Sequence, residues 1–253
     1  MRIIAIIPAH LNSVRFPRKI LLKIHGLEMI EHVRRRAILS GLFEEVYVAS
    51  CDDEILSLVM SHNGKVLKTG NNHLSGTSRI IEACEHIDTS HIVLIQGDEP
   101  LILPEQLREM CISIKSLPKV DAWNATAKLQ NEEQLHKKSI VKCAINAEDK
   151  ILYCFRKTPS FLPFDIQKSY LRKILGLIAF RKDVIMKFKN YCPSELEKSE
   201  SIEQLRFIEK GLNLKSVQIY PSLPSINELE DYQEVLDFIK KNSNQQKILK
   251  KIL

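Results

Sequence analysis

The sequence predicts an α/β fold: a mostly parallel sheet flanked by helices, with a β-rich lobe inserted after the first half. The first sign is the run RIIAII at residues 2–7, continuous and Ile-rich, which suits a strand buried on both faces. The second is the alternation of strand-like and helix-like stretches that follows as far as residue 98. The third is a change of rhythm near residue 120, where paired strand patterns take over.

After RIIAII and a basic loop, MIEHVRRRAILSG carries Met29, Ile30, Val33, Ala37 and Ile38 at helical spacing, with Gly41 as the stop. The strand EVYVAS, the helix DDEILSLVMSHNG and the strand KVLKT come next. Ser75 to Thr77 lead into the helix SRIIEACEHI, and HIVLIQGD reads as another buried strand. In a parallel sheet of this kind ligands bind beyond the carboxyl ends of the strands. The loop 8–19 and the turn 96–100 both belong there.

Beyond residue 120, KSIVKCAINAEDKILYCFR reads as two strands around an acidic turn. YLRKILGLIAFR is a further strand, KDVIMKFK a helix, and ELEKSESIEQLRFIEKG one charged helix stopped by Gly211. LKSVQIYPS is a return strand and NELEDYQEVLDFIKKN a final helix. The economical organisation is one domain over residues 1–240 with an inserted lobe at about 120–220. Residues 241–253 form a basic, solvated helical tail.

Composition narrows the functional classes. A chain of 253 residues, 44% hydrophobic and 27% charged, is an ordinary globular protein. No apolar run reaches the ~18 residues of a membrane span. MRIIAIIPAH ends its short apolar stretch at Pro8 and lacks a cleavage site, so it is a first strand rather than a signal peptide. The six cysteines are scattered without a CxxC pair, which fits buried free thiols in a reducing cytoplasm. The net charge of +6 suits anionic substrates, but no basic and aromatic clustering marks a nucleic-acid surface.

Three short segments carry chemistry. In PAHLNSVRFPRK, a buried strand delivers Arg15, Arg18 and Lys19 on a loop whose amides and cations suit a triphosphate; a solvated basic loop is the plain alternative. In QGDEP, residues 96–100, an acid at a strand end can ligate Mg²⁺ and Gly97 permits close backbone approach. An ordinary strand exit has the same composition. In LSGTSR, Ser75 or Thr77 is either a helix N-cap or part of a nucleotide cradle, with Arg79 one turn further in.

Taken in order, PAHLNSVRFPRK, SGTSR and QGDEP resemble the CMP-Kdo synthetase family, the 3-deoxy-manno-octulosonate cytidylyltransferases of lipopolysaccharide assembly. That family is marked by a PAR-x-x-S-x-R-x-P-x-K loop, SGTxR and QGDEP. IVKCAINAEDKILYCFR also resembles its VKV…ALYFSR hairpin, and ESIEQLR its LEQLR helix. The resemblance implies a Rossmann-like nucleotidyltransferase sheet and a cytoplasmic, Mg²⁺-dependent homodimer. The anomeric hydroxyl of an acidic sugar would attack the α-phosphate of CTP and release pyrophosphate. Pro8, Ala9, His10, Ser13, Arg15 and Lys19 would meet the nucleotide from the loop; Ser75, Gly76, Thr77, Arg79, Gln96 and Gly97 would frame it. Lys19 and Asp98 would be catalytic, with Asp98 holding the metal, and Arg156, Glu203 and Gln204 would bind the sugar acid. An Arg fork binds both oxygens of a carboxylate, which suits Arg156 to that task.

Some positions depart from the family's pattern. The loop arginine is His10, and the family's HLGIYGY strand stands as ILGLIAF, placing Ile174 and Ile178 where a His and a Tyr are expected. Counting back from Asp231, the second metal-binding Asp is Asn227, which lowers the charge of that site by one; Glu228 lies beside it. Nucleotide-facing motifs are thus better kept than sugar-facing ones, which leaves Kdo or a related 3-deoxy-ulosonic acid, such as an amino-Kdo, as the acceptor. Two other readings stand beside this one. Arg172, Lys173 and Arg181 suit a phosphorylated acceptor, and Asn227 suits a catalytically impaired nucleotide-binding paralogue.

Overall fold

In a computed structural model the chain is described at residues 1–13 and 15–253. It divides into two compact units, Met1–Cys111 with Leu223–Leu253, and Ile112–Ser222.

The first unit is built on β1 (Ile3–Pro8), every residue of which is buried. A 3-10 turn (Lys19–Leu21) and the short strands β2 (Lys23–Ile24) and β3 (Leu27–Glu28) lead to helix α1 (Met29–Leu39). Then follow β4 (Val46–Ser50), α2 (Asp53–Ser61), β5 (Lys65–Lys68), α3 (Gly76–Ala83), β6 (His91–Ile95) and α4 (Pro104–Ser116), whose residues from Ile112 onward belong to the second unit. β1 pairs in parallel with β4, Ala5 opposite Val46, and with β6, Ile3 opposite His91; β5 adds beside β4. Because β1 is central and covered on both faces, its sequence carries no polar alternation. The parallel order brings the carboxyl ends of β1, β4 and β6 to one edge, which fixes where their loops emerge.

The second unit contains β7 (Ala122–Lys128), α5 (Glu132–His136), β8 (Lys142–Ile145), β9 (Ile151–Phe155), α6 (Phe164–Tyr170) and β10 (Leu171–Arg181). It continues with α7 (Lys182–Phe188), α8 (Glu195–Glu200), α9 (Gln204–Glu209) and β11 (Leu214–Gln218). β10 runs antiparallel to β7 and β8, β8 and β9 form the expected hairpin, and β11 lies parallel to β7. The expected single charged helix is two: Ser201, with φ 53°, takes a left-handed conformation that ends α8 before α9 begins. The core here is aromatic. Phe207 stacks on Phe188 with ring centroids 3.8 Å apart, and the Arg206 guanidinium lies 4.4 Å from the Phe188 centroid.

The chain returns to the first unit with α10 (Leu229–Lys241) and α11 (Ser243–Ile252). α10 is therefore not the last helix, and the basic tail is not solvated all round. Gln245, Ile248, Leu249 and Ile252 are buried on one face of α11, and Gln245 donates to the Leu101 carbonyl at 2.7 Å. Basic residues occupy the opposite face, so net charge alone concealed an amphipathic helix. All six cysteines are free thiols; four are buried, while Cys51 is half-buried and Cys192 exposed.

Candidate active site

The basic loop leaves β1 at Pro8 and is tied down at both ends. The Leu11 amide donates to Asp52 at 2.9 Å, and the Arg18 amide donates to the Leu11 carbonyl at 2.8 Å. Arg18 itself has φ 59° and pairs with Glu54, so it is turned into a structural contact. Lys19 is directed otherwise. Its Nζ donates to Asp98 Oδ2 at 2.7 Å and to the Ile226 carbonyl at 2.8 Å, and only 11% of its side chain is exposed. Val14 lies outside the described residues.

Ser75 is the N-cap of α3, accepting from the Ser78 amide at 3.1 Å in a capping box. The cap and the cradle readings are compatible, because Ser75 also lines a cavity of about 690 Å³. Pro8, Ala9, His10, Ser13 and Lys19 reach that cavity from the loop, Ser75, Gly76 and Arg79 from α3, and Gln96, Gly97 and Asp98 from the end of β6. Asn12, Asp52, Asn71 and His73 complete its polar wall; Asn12 stands at an unspecified position of the loop motif, and no motif pointed to the other three.

Two glycines let these segments meet. A Cβ on Gly97 would lie 2.5 Å from Ile20 Cδ1 and 3.3 Å from the Pro8 carbonyl oxygen. A Cβ on Gly76 would lie 3.0 Å from Pro8 Cγ and 3.4 Å from Gln96 Nε2. Close approach, rather than unusual dihedrals, is why glycine stands at both places. Thr77 is buried behind the cavity wall, and Arg79 is anchored by donating to Thr69 Oγ1 at 2.6 Å.

His10 is exposed, yet the protein packed around it lowers its pKa below the ordinary 6.5, with the Arg79 charge acting in the same direction. The imidazole therefore holds a proton less readily than a free histidine. Arg15 turns to the segment before α10, where its Nη2 donates to Asn227 Oδ1 at 3.0 Å and its Nη1 lies 3.6 Å from Glu228. Asn227 is held in turn by its amide, which donates to Asp231 Oδ2 at 2.7 Å, and the Ile226 amide donates to the Asp98 carbonyl at 3.1 Å. Asp98 and Asn227 are thereby linked through one residue of backbone.

In the second unit the three expected sugar-binding residues engage the protein itself. Arg156 donates to the carbonyls of Glu200, Lys138 and Ser201 at 2.7, 3.0 and 3.0 Å. Its guanidinium is a clamp between segments instead of an open fork. Glu203 lies 3.4 Å from Arg206, and Gln204 donates to Asn124 at 2.9 Å. Lys142, wholly buried, also donates to the Arg156 and Lys137 carbonyls, and burial lowers its pKa to about 8.

The family model for cytidylyltransferases matches residues 4–218. The 3-deoxy-manno-octulosonate cytidylyltransferase of Fusobacterium nucleatum is 32% identical over 96% of this chain and 99% of its own length. That of Cytophaga hutchinsonii is 34% identical over 92% of this chain and 96% of its own. The structure of a CMP:2-keto-3-deoxy-manno-octonic acid synthetase complexed with CTP superimposes with a TM-score of 0.89 at 29% identity, covering 95% of this chain and 99% of that one.

Proposed function

We propose that this chain, which belongs to the cytidylyltransferase family, couples CMP from CTP to the anomeric hydroxyl of Kdo or a closely related 3-deoxy-ulosonic acid, in a cytoplasmic step of lipopolysaccharide or surface-polysaccharide synthesis. The observation that carries this reading is the cavity in which the basic loop, the start of α3 and the end of β6 converge around Lys19 and Asp98.

In the reaction the sugar oxygen attacks the α-phosphorus, the bond to the β-phosphate breaks, and pyrophosphate leaves. Lys19 supplies a fixed cation to the phosphates, placed before substrate arrives by Asp98 and the Ile226 carbonyl. Arg15 adds a second cation once it exchanges Asn227 and Glu228 for phosphate oxygens. Ser75 and Ser13 offer hydroxyls, and Gln96 an amide, to the nucleotide. His10 adds an imidazole to the cavity wall.

The donor set fits a Mg²⁺ ion that arrives with the triphosphate. Asp98 provides one hard carboxylate and Asn227 one amide oxygen, and no cluster of three acidic, His or Cys side chains exists among the described residues. Mg²⁺ commonly binds through one or two carboxylates plus substrate phosphates and water, so this sparse set suffices. Held by Asp98 and Asn227, such an ion would supply positive charge to offset the negative charge that builds on the phosphates.

For the acceptor, Glu203, Gln204 and Arg156 are proposed as the sugar-acid residues, Arg156 after release of at least one carbonyl. A phosphorylated acceptor is disfavoured because Arg181 already holds a carboxylate and Arg172 is buried, whereas Arg156 is held by neutral carbonyls alone. Arg181 forms a fork with Asp183, and Arg172 donates to the Lys168, Ser169 and Leu171 carbonyls. The exposed Leu152 and Tyr153 on β9 support a homodimer joined through the hairpin. No helix among the described residues is long and apolar enough to cross a membrane.

Pyrophosphate release with CTP, Mg²⁺ and a panel of sugar acids tests the proposal. Turnover with Kdo or a 3-deoxy-ulosonic relative is expected. CTP binding without turnover on any acid would replace it with the nucleotide-binding paralogue.

A further inference from the structure

Asn124 is a polar residue in the interior of β7, fully buried, where an unpaired amide would be costly. Its Nδ2 donates to the Ala125 carbonyl at 2.8 Å and to the Leu175 carbonyl at 3.2 Å. Carbonyls only accept, so these contacts fix which end of the Asn124 amide faces them. The Oδ1 must then accept, and it does so from Gln204 Nε2 at 2.9 Å. The sense of one amide therefore sets the sense of the next. Gln204 Oε1 is left as an acceptor that takes no hydrogen bond among the described residues, on a side chain only half-buried at the start of α9.

The surroundings explain why this relay matters. Leu175 lies where the register of β10 against β7 shifts, between Ile174 opposite Thr126 and Ile178 opposite Asn124. The two positions that are apolar in β10 thus face polar partners on β7. Thr126 and Ser216 satisfy each other at 2.7 Å, whereas Asn124 passes its polarity outward to Gln204.

Resting on the sugar-acid reading above, we propose that Asn124 is a positioning residue for acceptor recognition: it fixes the Gln204 amide with Oε1 as the acceptor, so that the sugar group meeting Gln204 is a hydrogen-bond donor. The selection is for polarity, not for charge or size. A buried acceptor left without its donor rejects the analogue that lacks it far better than an apolar contact does.

The test compares Kdo with its singly deoxygenated analogues in the whole enzyme, after wild-type turnover of Kdo with CTP has been established. In wild type, removal of one particular hydroxyl raises KM about tenfold. In Asn124→Ala, KM for Kdo rises about tenfold, KM for CTP stays the same, and the discrimination at that hydroxyl falls below threefold. The double variant Asn124→Ala/Gln204→Ala is no worse than Gln204→Ala alone, because both act through one contact. Asn124→Leu, which keeps the approximate shape but offers Gln204 no acceptor, behaves like Asn124→Ala and decides the matter if that variant does not fold. Equal loss for CTP and Kdo, additive losses, or an unchanged deoxy-sugar profile would overturn the role of Asn124. Absence of wild-type turnover on Kdo overturns the acceptor reading itself, which the control separates from the rest.

Discussion

The two units treat their candidate residues in opposite ways. In the first, residues from three loop regions converge on one cavity, with Lys19 and Asp98 already 2.7 Å apart. In the second, Arg156, Glu203 and Gln204 are held by the protein's own carbonyls and side chains. A phosphate site can be prepared in advance, because fixed cations and amides do not depend on the identity of the sugar. On the proposed sugar-acid role of Arg156 and Gln204, recognition of a particular acid would depend instead on second partners, such as Asn124 and the Glu200 carbonyl, that direct the fork and the amide.

The contrast is broken most sharply at Asp98. Asp98→Asn removes one of the two carboxylates that line the cavity and leaves Lys19 without its counter-charge. A fall in kcat of about 10³-fold, roughly 4 kcal/mol, is expected. The thermal midpoint should be nearly unchanged, because the group is partly exposed and lies at a strand end. Loss of folding, read by circular dichroism, would make Asp98 a structural residue and remove the difference between the units.

Acid should also separate them. His32 in α1 is buried, its Nε2 bonded to the Ile24 carbonyl at 2.7 Å, and burial lowers its pKa from 6.5 to about 4. The unfolded chain takes up this proton first, so the stability is fully present above pH 6.5 and is lost as the pH falls towards 4. The gap is worth roughly 3 kcal/mol. Urea midpoints followed by circular dichroism should fall through this window, and His32→Gln should flatten the fall. In the second unit Lys142 has its pKa lowered to about 8, so its burden is relieved only as the pH rises from there towards 10.5. The fluorescence of Trp123, the single tryptophan and a residue of the second unit, should therefore show little acid sensitivity.

Arg156 sharpens the comparison in a third way. If it is both clamp and ligand, Arg156→Ala should cost about 2 kcal/mol of stability through lost charge-assisted bonds. It should also raise KM for the sugar acid and leave KM for CTP unchanged. A rise in sugar KM without a stability change would mean that the three carbonyl contacts are idle and that Arg156 is as open to substrate as Lys19.

The same asymmetry governs what the sequence reveals. β1 was legible because a strand buried on both faces must be apolar throughout, and the loop, SGTSR and QGDEP because each is contiguous and begins or ends an element. The break at Ser201 was not, since a single serine in a left-handed conformation leaves no mark in a charged helical pattern. Asn124 was not, because its importance lies in contacts with Leu175 and Gln204, far along the chain. α11 was misread as solvated because its apolar positions are diluted by lysines, and the burial of Gln245 depends on the Leu101 carbonyl.

Asn227 is a place where the first unit behaves like the second. Its side-chain oxygen is the only one it has, and Arg15 occupies it at 3.0 Å. Asn227→Asp restores a carboxylate near Asp98 while keeping the shape, the backbone contacts to Asp231 and a stronger partner for Arg15. Two effects then compete: a second hard oxygen favours Mg²⁺, and a tighter pair with Arg15 withholds that oxygen. Once CTP has drawn Arg15 away the first effect wins. The Mg²⁺ concentration giving half-maximal rate should therefore fall about threefold to tenfold, near 1 kcal/mol, with kcat little changed. An unchanged Mg²⁺ dependence would place Asn227 outside the metal site and make it solely the latch for Arg15. In that case the factor by which Arg15→Lys, which cannot present the same fork, alters KM for CTP should differ between the wild type and Asn227→Asp, because the two residues are in direct contact.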